Sequence, residues 1–160
     1  MAAVGLRSGT FATIGGSIFV AFGILSLAMT SLVSSAVSLS TNQFLELWGG
    51  TILALAFGFL IIIAGALIGS SSSSRRLAGG ALGTISSLIG GFNVPVYLTN
   101  TIGVGSTSGV NVSAGGGAQL STFLLMLIIG ALVTLFAGFP LSMVGSFPVS
   151  DRSEGVENSS

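Results

Sequence analysis

The chain has 160 residues, of which 5% are charged, with four Arg, four acidic residues and no His or Cys. In soluble domains roughly a quarter of all residues are charged. The low share of charged residues and the mean hydropathy of +1.02 therefore exclude a soluble domain and indicate an integral membrane protein. Without imidazole or thiolate the usual haem, zinc and iron–sulfur sites are excluded, and without a basic run nucleic acid is excluded as a partner. We therefore expect no cofactor.

The first two predicted membrane spans cover residues 10–37 and 47–70. Arg7 and the small residues 34–36 leave a secretory signal peptide as an alternative for the first span. Its apolar stretch is longer than the roughly 7 to 15 residues of such a peptide, so we expect it to be retained. The second span is the more apolar, and Trp48 at its start is placed to keep its indole N–H in the headgroup layer.

The third and fourth predicted spans cover residues 77–98 and 120–147. Gly, Thr and Ser dilute the third, and its Pro95 predicts that the helix frays or bends there, with Tyr97 as an anchor at the membrane interface. The fourth is longer than the roughly 30 Å hydrocarbon layer requires, and its Pro140 predicts a kink.

The arginines predict the orientation of the bundle. With four spans, Arg7, Arg75, Arg76 and Arg152 all lie on one side, which the positive-inside rule assigns to the cytoplasm. A three-span alternative, in which residues 77–98 form a re-entrant segment, would place Arg152 on the opposite side. We predict an all-α membrane protein of the cell membrane, a four-transmembrane-helix bundle with both termini cytoplasmic. Residues 1–150 form its single membrane domain and residues 151–160 a polar cytoplasmic tail.

Two loops are predicted on the outer side, at residues 38–46 and 99–119. The first contains Glu46, the only charge expected outside. The second is built almost wholly from Gly, Ser, Thr, Asn and Val. Within it Asn111, Val112 and Ser113 form a glycosylation acceptor.

Small residues recur at four-residue spacing in the predicted spans, and in a bilayer such faces let two helices approach closely. They pack the helices of one bundle, or they meet partner subunits or further copies. The predicted helix-packing residues are Gly50, Ala54, Gly58, Gly65, Gly69, Gly79, Gly83, Ser87, Gly91, Gly130, Thr134 and Gly138.

The predicted spans contain no carboxylate, Lys or Arg to compensate a transported charge, and the chain has no His or Lys to activate a Ser nucleophile. We therefore expect a non-catalytic integral membrane subunit that packs against larger partners and stabilises a membrane protein complex, for instance a respiratory or other redox assembly. Its partners are the lipid bilayer and other integral membrane subunits or copies of itself. The alternative is a self-associating pore or small-molecule carrier lined by Ser, Thr and backbone of the third span.

Overall fold

The computed structural model describes residues 2–36, 40–106 and 116–147, and all secondary structure within them is helical. The elements are α1 (Ala2–Ala36), α2 (Thr41–Ile68), α3 (Ser73–Ser106), α4 (Gly116–Val133), a π-helical turn (Thr134–Gly138) and α5 (Phe139–Ser146). Four stretches in these ranges are long and apolar enough to cross a membrane, namely Ser8–Ser34, Thr41–Ile68, Ser73–Ile102 and Ser121–Ser146. The all-helical prediction with four such helices is therefore confirmed. The last stretch, which joins α4, the π turn and α5, is called the fourth span below.

The start of α2 differs from the prediction. Ser40 caps the helix, because its Oγ accepts a hydrogen bond from the backbone N–H of Gln43 at 3.4 Å. The Gln43 side chain in turn accepts from the Ser40 N–H at 3.1 Å. This reciprocal capping box begins the helix at Thr41, so residues 41–46 are its first turns and the predicted 38–46 loop was wrong there. Glu46 lies on this helix and is exposed.

The third helix does not end near Pro95. α3 continues through this proline to Ser106, and α4 already begins at Gly116, so the predicted 99–119 loop was wrong at both of its ends. Proline removes one backbone hydrogen bond. Contacts on both sides of Pro95 hold the helix, since Asn93 donates to the backbone carbonyl of Gly50 at 3.0 Å and Tyr97 is hydrogen-bonded across the bundle. Asn111 lies outside the described residues.

The irregularity of the fourth span lies directly before Pro140. Residues 134–138 form a π turn, and the N–H of Phe139 donates to the carbonyl of Thr134, five residues earlier. A proline ring collides with the carbonyl four residues before it, and a wider turn relieves that collision. The effect predicted for Pro140 thus takes the form of a widened turn.

The four spans form a ring of antiparallel neighbours. Along α1, Gly9 lies against Gly65 of α2 and Gly23 lies against Leu55, so the two helices run in opposite directions. α3 packs on α2, and the fourth span closes the ring by packing on both α1 and α3. The core between them consists of Phe19, Phe22, Leu47, Ala54, Ile61, Val94, Tyr97, Leu127 and Ala131.

The contact between α1 and α2 is a contact between backbones. Gly9, Gly16 and Gly23 recur every seven residues on α1, and Gly58 and Gly65 recur at the same spacing on α2. A Cβ atom on Gly16 would lie 2.9 Å from the carbonyl oxygen of Gly58, and one on Gly65 would lie 2.7 Å from that of Gly9. Neither distance leaves room for a methyl group, so glycine is required where the two helices meet.

We predict that Gly65→Ala destabilises the bundle while Gly69→Ala does not. A Cβ on Gly65 meets the backbone of α1, whereas one on Gly69 meets only carbonyl oxygens of its own helix, at 3.6 and 3.7 Å. The overpacking at Gly65 costs about 1–3 kcal/mol and outweighs the gain in helix propensity of about 1 kcal/mol or less. Thermal unfolding of both variants in one detergent measures the difference, and equal midpoints would contradict the backbone contact.

Candidate functional site: a hydroxyl-lined interior

The interior of the bundle carries a set of buried hydroxyl groups, called here the hydroxyl interior. Every member is at most 4% exposed, and all four spans contribute. Its members are Ser26, Thr30, Thr51, Ser86, Ser87, Tyr97, Thr101, Thr134, Ser142 and Ser146. A hydroxyl group can both donate and accept a hydrogen bond, so the hydroxyl interior supplies hydrogen-bonding capacity to all four spans.

Five of these ten hydroxyls are bonded to their own helix. Thr51 donates to the carbonyl of Leu47 at 2.9 Å, and Ser146 donates to that of Ser142 at 2.6 Å. Thr101 and Thr134 bond in the same way, each to the carbonyl four residues earlier. A Ser or Thr in a helix finds this acceptor without help from another element. Such side chains can therefore be buried among apolar residues at little cost.

Tyr97 makes the hydrogen bond that crosses the bundle. Its hydroxyl lies 2.9 Å from Oγ1 of Thr30, so it joins α3 to α1, which are not neighbours in the ring. Phe22 packs edge-on against its ring, with centroids 5.8 Å apart. The ring lies on Gly50 of α2, where a Cβ would collide with Tyr97 Cδ2. The prediction that Tyr97 anchors at the membrane interface was wrong, because the residue is 1% exposed and belongs to the core.

Gly50 thus meets α3 twice, since its backbone carbonyl accepts from Asn93 and its missing side chain makes room for Tyr97. These contacts explain why Asn93 is tolerated within a helix long enough to span a membrane. An amide paired with a backbone carbonyl of a neighbouring helix is satisfied without water.

Three buried polar atoms have no hydrogen-bond partner among the described residues, namely Ser26 Oγ, Ser87 Oγ and Trp48 Nε1. Trp48 packs against Phe44, with ring centroids 5.9 Å apart. The indole N–H was predicted to face the headgroup layer, but it is covered by protein. The two serines lie in the hydroxyl interior, where each could turn toward a carbonyl of its own helix.

The predicted packing residues of α2 and α3 lie at several different contacts. On α2, Gly58 and Gly65 face α1, Gly50 faces Tyr97, and Ala54 is fully buried in the core. A Cβ on Gly69 would meet no other helix, although the backbone of this residue lies beside Gly9.

On α3 the predicted residues face two neighbours. A Cβ on Gly79 would lie 2.8 Å from the carbonyl of Ala64 on α2, and one on Gly91 would meet the ring of Phe139 on α5. Gly83 lies between both neighbours, against Ser146 and Ala64. Ser87, one turn from Gly83 and from Gly91, is fully buried.

The fourth span places its three predicted residues toward α1 and the interior. A Cβ on Gly130 would lie 2.9 Å from Leu25, and one on Gly138 would lie 2.9 Å from Ile18. Thr134 is fully buried and bonds to the Gly130 carbonyl at 2.8 Å.

Two glycines at close contacts between α1 and the fourth span, Gly15 and Gly145, were absent from the predicted set. A Cβ on Gly15 would lie 2.8 Å from the Gly138 carbonyl, and one on Gly145 would collide with the backbone of Ala12. Gly138 and Gly145 are seven residues apart, as are the glycines of α1 that face α2. In the first span the sequence also shows a seven-residue spacing, at Gly16, Gly23 and Thr30. The same spacing in the fourth span is the signal that could have indicated Gly145.

A cavity of about 280 Å³ lies between α1 and α2 near the start of α1, and it opens to the surroundings. It is lined by Gly9, Thr10, Thr13, Gly65, Ala66 and Gly69. The Thr13 hydroxyl donates to the Gly9 carbonyl at 2.9 Å, so its proton is already used within α1. The cavity is a shallow gap beside the closest approach of the two helices and is separate from the hydroxyl interior.

We predict that Thr30 and Tyr97 are energetically coupled. Tyr97→Phe leaves the Thr30 hydroxyl buried without this partner, and a double-mutant cycle with Thr30→Val should give a coupling of about 0.5–2 kcal/mol. The control cycle pairs Tyr97→Phe with Thr134→Val, which removes a hydroxyl bonded to its own helix. That cycle should be additive within about 0.5 kcal/mol. Chemical unfolding in detergent measures both, and an equal coupling in the two cycles would remove the cross-bundle bond as an energetic link.

No family model, no curated protein and no solved structure matches this chain. The packing of the bundle and the chemistry of its side chains are therefore the grounds on which a function can be proposed.

Proposed function

We propose that the protein is a non-catalytic integral membrane subunit that packs against larger partners and stabilises a membrane protein complex. The observation that carries the proposal is the contrast between the inside and the outside of the bundle. Most glycines of the spans are occupied by contacts with other helices of the chain, whereas many large apolar side chains face outward. Phe92 is 75% exposed and Phe136 is 79% exposed. The outer surface of the bundle is therefore largely apolar.

The fourth span is the least covered part of this surface. Only 22% of its most apolar stretch is buried, against 39% for each of the other three spans. Its exposed large apolar side chains are Leu125, Met126, Ile129, Leu132, Val133, Phe136 and Val144. Two neighbours cover its inner side, and lipid or a partner subunit has to cover the outer side. This span is where we place the contact with a partner.

The filled core supports a subunit in preference to a pore. Phe19, Tyr97 and Leu127 are at most 2% exposed and occupy the space between the four spans. Ser86 and Ser87, the side chains expected to line a lumen, are buried within a single copy at 2% and 0% exposure. The self-associating pore or carrier remains the alternative, and its lumen would have to form between copies from other residues.

The proposed orientation has both termini in the cytoplasm and the bundle in the cell membrane. Ser146 of α5 packs against Gly83 of α3, and Gly145 packs against Ser8 and Ala12 of α1. The beginnings of α1 and α3 and the end of α5 therefore lie at one end of the bundle, and every arginine belongs to this end or to the chain that leaves it. The positive-inside rule assigns such an end to the cytoplasm.

Single cysteines at Ser40 and Ser72 test this orientation, because both serines are exposed and the chain has no native Cys. An impermeant thiol reagent applied to intact cells should label Ser40→Cys and leave Ser72→Cys unlabelled until the membrane is opened. The opposite labelling pattern would reverse the orientation.

Affinity purification from the native membrane in mild detergent tests the subunit proposal. We expect companion membrane proteins in fixed stoichiometry, and we expect that deletion of the gene lowers the yield of the intact complex while the partner's activity per active site is unchanged. A large residue substituted by Ala on the fourth span, such as Phe136→Ala, should weaken retention of the companions, whereas Phe59→Ala on α2 is the exposed control. Recovery of a ring of this chain alone, with solute flux in liposomes, would favour the pore instead.

A further inference from the structure

The π turn and Pro140 together remove hydrogen-bond donors from the backbone of the fourth span. In an α-helix each carbonyl accepts from the N–H four residues later. The N–H of Phe139 donates instead to the carbonyl of Thr134, five residues earlier, and proline has no N–H to donate. The regular pattern returns in α5, whose first bond runs from the N–H of Ser142 to the carbonyl of the N-cap residue Gly138.

The carbonyls between these two bonds belong to Leu135, Phe136 and Ala137. The N–H positions between the two donors are residues 140 and 141, and residue 140 is the proline. The N–H of Leu141 is therefore the single donor for three carbonyls. In the α-helical pattern it serves Ala137, so the carbonyls of Leu135 and Phe136 are left without a backbone donor.

The hydroxyl groups closest to the turn along the span do not fill this deficit. Thr134 donates to the carbonyl of Gly130 at 2.8 Å. Ser142 donates to the carbonyl of Phe139 at 2.8 Å. Both hydroxyl protons are used within the span, so a donor for the two remaining carbonyls has to come from elsewhere.

The deficit lies at the middle of the span and on its outward side. Phe136 is about 15 Å or more from either end of the stretch Ser121–Ser146 along the helix axis. Its side chain is 79% exposed, and Pro140, toward which its carbonyl is directed, is exposed as well. In the core of a bilayer neither water nor lipid chains supply a donor, so an unpaired backbone carbonyl is unfavourable there.

We propose that the partner subunit docks at this turn through a membrane helix that donates a hydrogen bond from a hydroxyl, amide or indole group to the carbonyl of Phe136. This inference rests on the proposed function and names the chemistry that the partner brings. Every exposed side chain of the fourth span from Leu125 to Val144 is apolar. A second copy packed through the same face therefore has no donor to offer, which favours a different subunit. The partner's polar side chain pairs with the free carbonyl, and the apolar side chains around it exclude lipid.

Photocrosslinking identifies what lies against the turn. Benzoylphenylalanine in place of Phe136 retains an aromatic side chain, and the same replacement of the exposed Phe59 on α2 is the control. In native membranes we expect irradiation at position 136, and not at position 59, to capture a companion subunit. The crosslinked peptide should be a membrane segment with Ser, Thr, Asn, Gln or Trp within one helical turn of the attachment point. Capture of a segment without such a residue, of a second copy, or of lipid alone would overturn the inference.

Restoring the missing N–H tests the hydrogen bond itself. Pro140→Ala supplies a donor within the span, so the carbonyl no longer needs the partner, and recovery of the companion in mild detergent should fall several-fold. The thermal midpoint of the purified bundle should be equal or higher, because proline is unfavourable inside a helix. Pro95→Ala makes the same chemical change at an exposed position of α3 and should leave recovery unchanged.

A variant of the companion completes the test. Replacing its donor by an apolar residue of similar size should lower recovery as much as Pro140→Ala does, and the two changes together should lower it no further. Independent, multiplying effects would overturn the inference, as would full recovery with Pro140→Ala. Both results leave the companion bound to the parent protein, so the proposed function stands in either case. That function fails on a different result, the absence of any companion from the parent preparation.

Discussion

The close approach of α1 and α2 is the contact on which the rest of the bundle depends. Apolar side chains gain nothing by leaving lipid for a protein interior, so helices in a bilayer are held by packing and by polar contacts. Glycines at seven-residue intervals on both helices bring the two backbones together from Gly9 to Gly23 of α1. The other two spans then have a fixed surface to pack on. α3 packs on α2, and the fourth span packs on both α1 and α3.

The polar residues inside this bundle are uncharged, and some of them form specific hydrogen bonds between helices. Hydroxyls bonded to their own helix behave almost as apolar groups, so they fit wherever a small side chain is needed. Tyr97 and Asn93 differ from them because their partners lie on other helices. These two contacts fix the rotation and height of α3 against its neighbours, which small residues alone leave loosely defined. The apolar exterior and the filled interior are the features on which we base the proposed structural part in a membrane assembly.

The sequence alone was sufficient for the number of spans and their helical nature, because both follow from apolar length and scarce charge. The helix ends predicted from the sequence differed from those in the structure. The predicted start of α2 followed hydropathy, whereas the capping box at Ser40 and Gln43 sets the real start before the apolar run begins. The helix was predicted to fray or bend at Pro95, and Tyr97 was predicted to lie at the interface, because a proline and a tyrosine near the end of an apolar stretch are typical of that position. Only the contacts of Asn93 with α2 and of Tyr97 with α1 reveal that the helix continues and that one of its faces belongs to the core. The small-residue faces could be read from the sequence, but which helix each one meets could not, since spacing carries no information about the neighbour.

The π turn has a consequence for how the length of the fourth span can change. A π turn holds one residue more than the α-helical turn it replaces, so it is equivalent to a single-residue insertion. Removing one residue from 134–138 would return the segment to a regular α-helix and leave both flanking faces where they are. Removing one residue elsewhere in the span would rotate one flank by about 100° relative to the other and turn its small residues away from α1. The turn is therefore the point in the fourth span at which an evolving chain can gain or lose a residue while the rest of the bundle keeps its register.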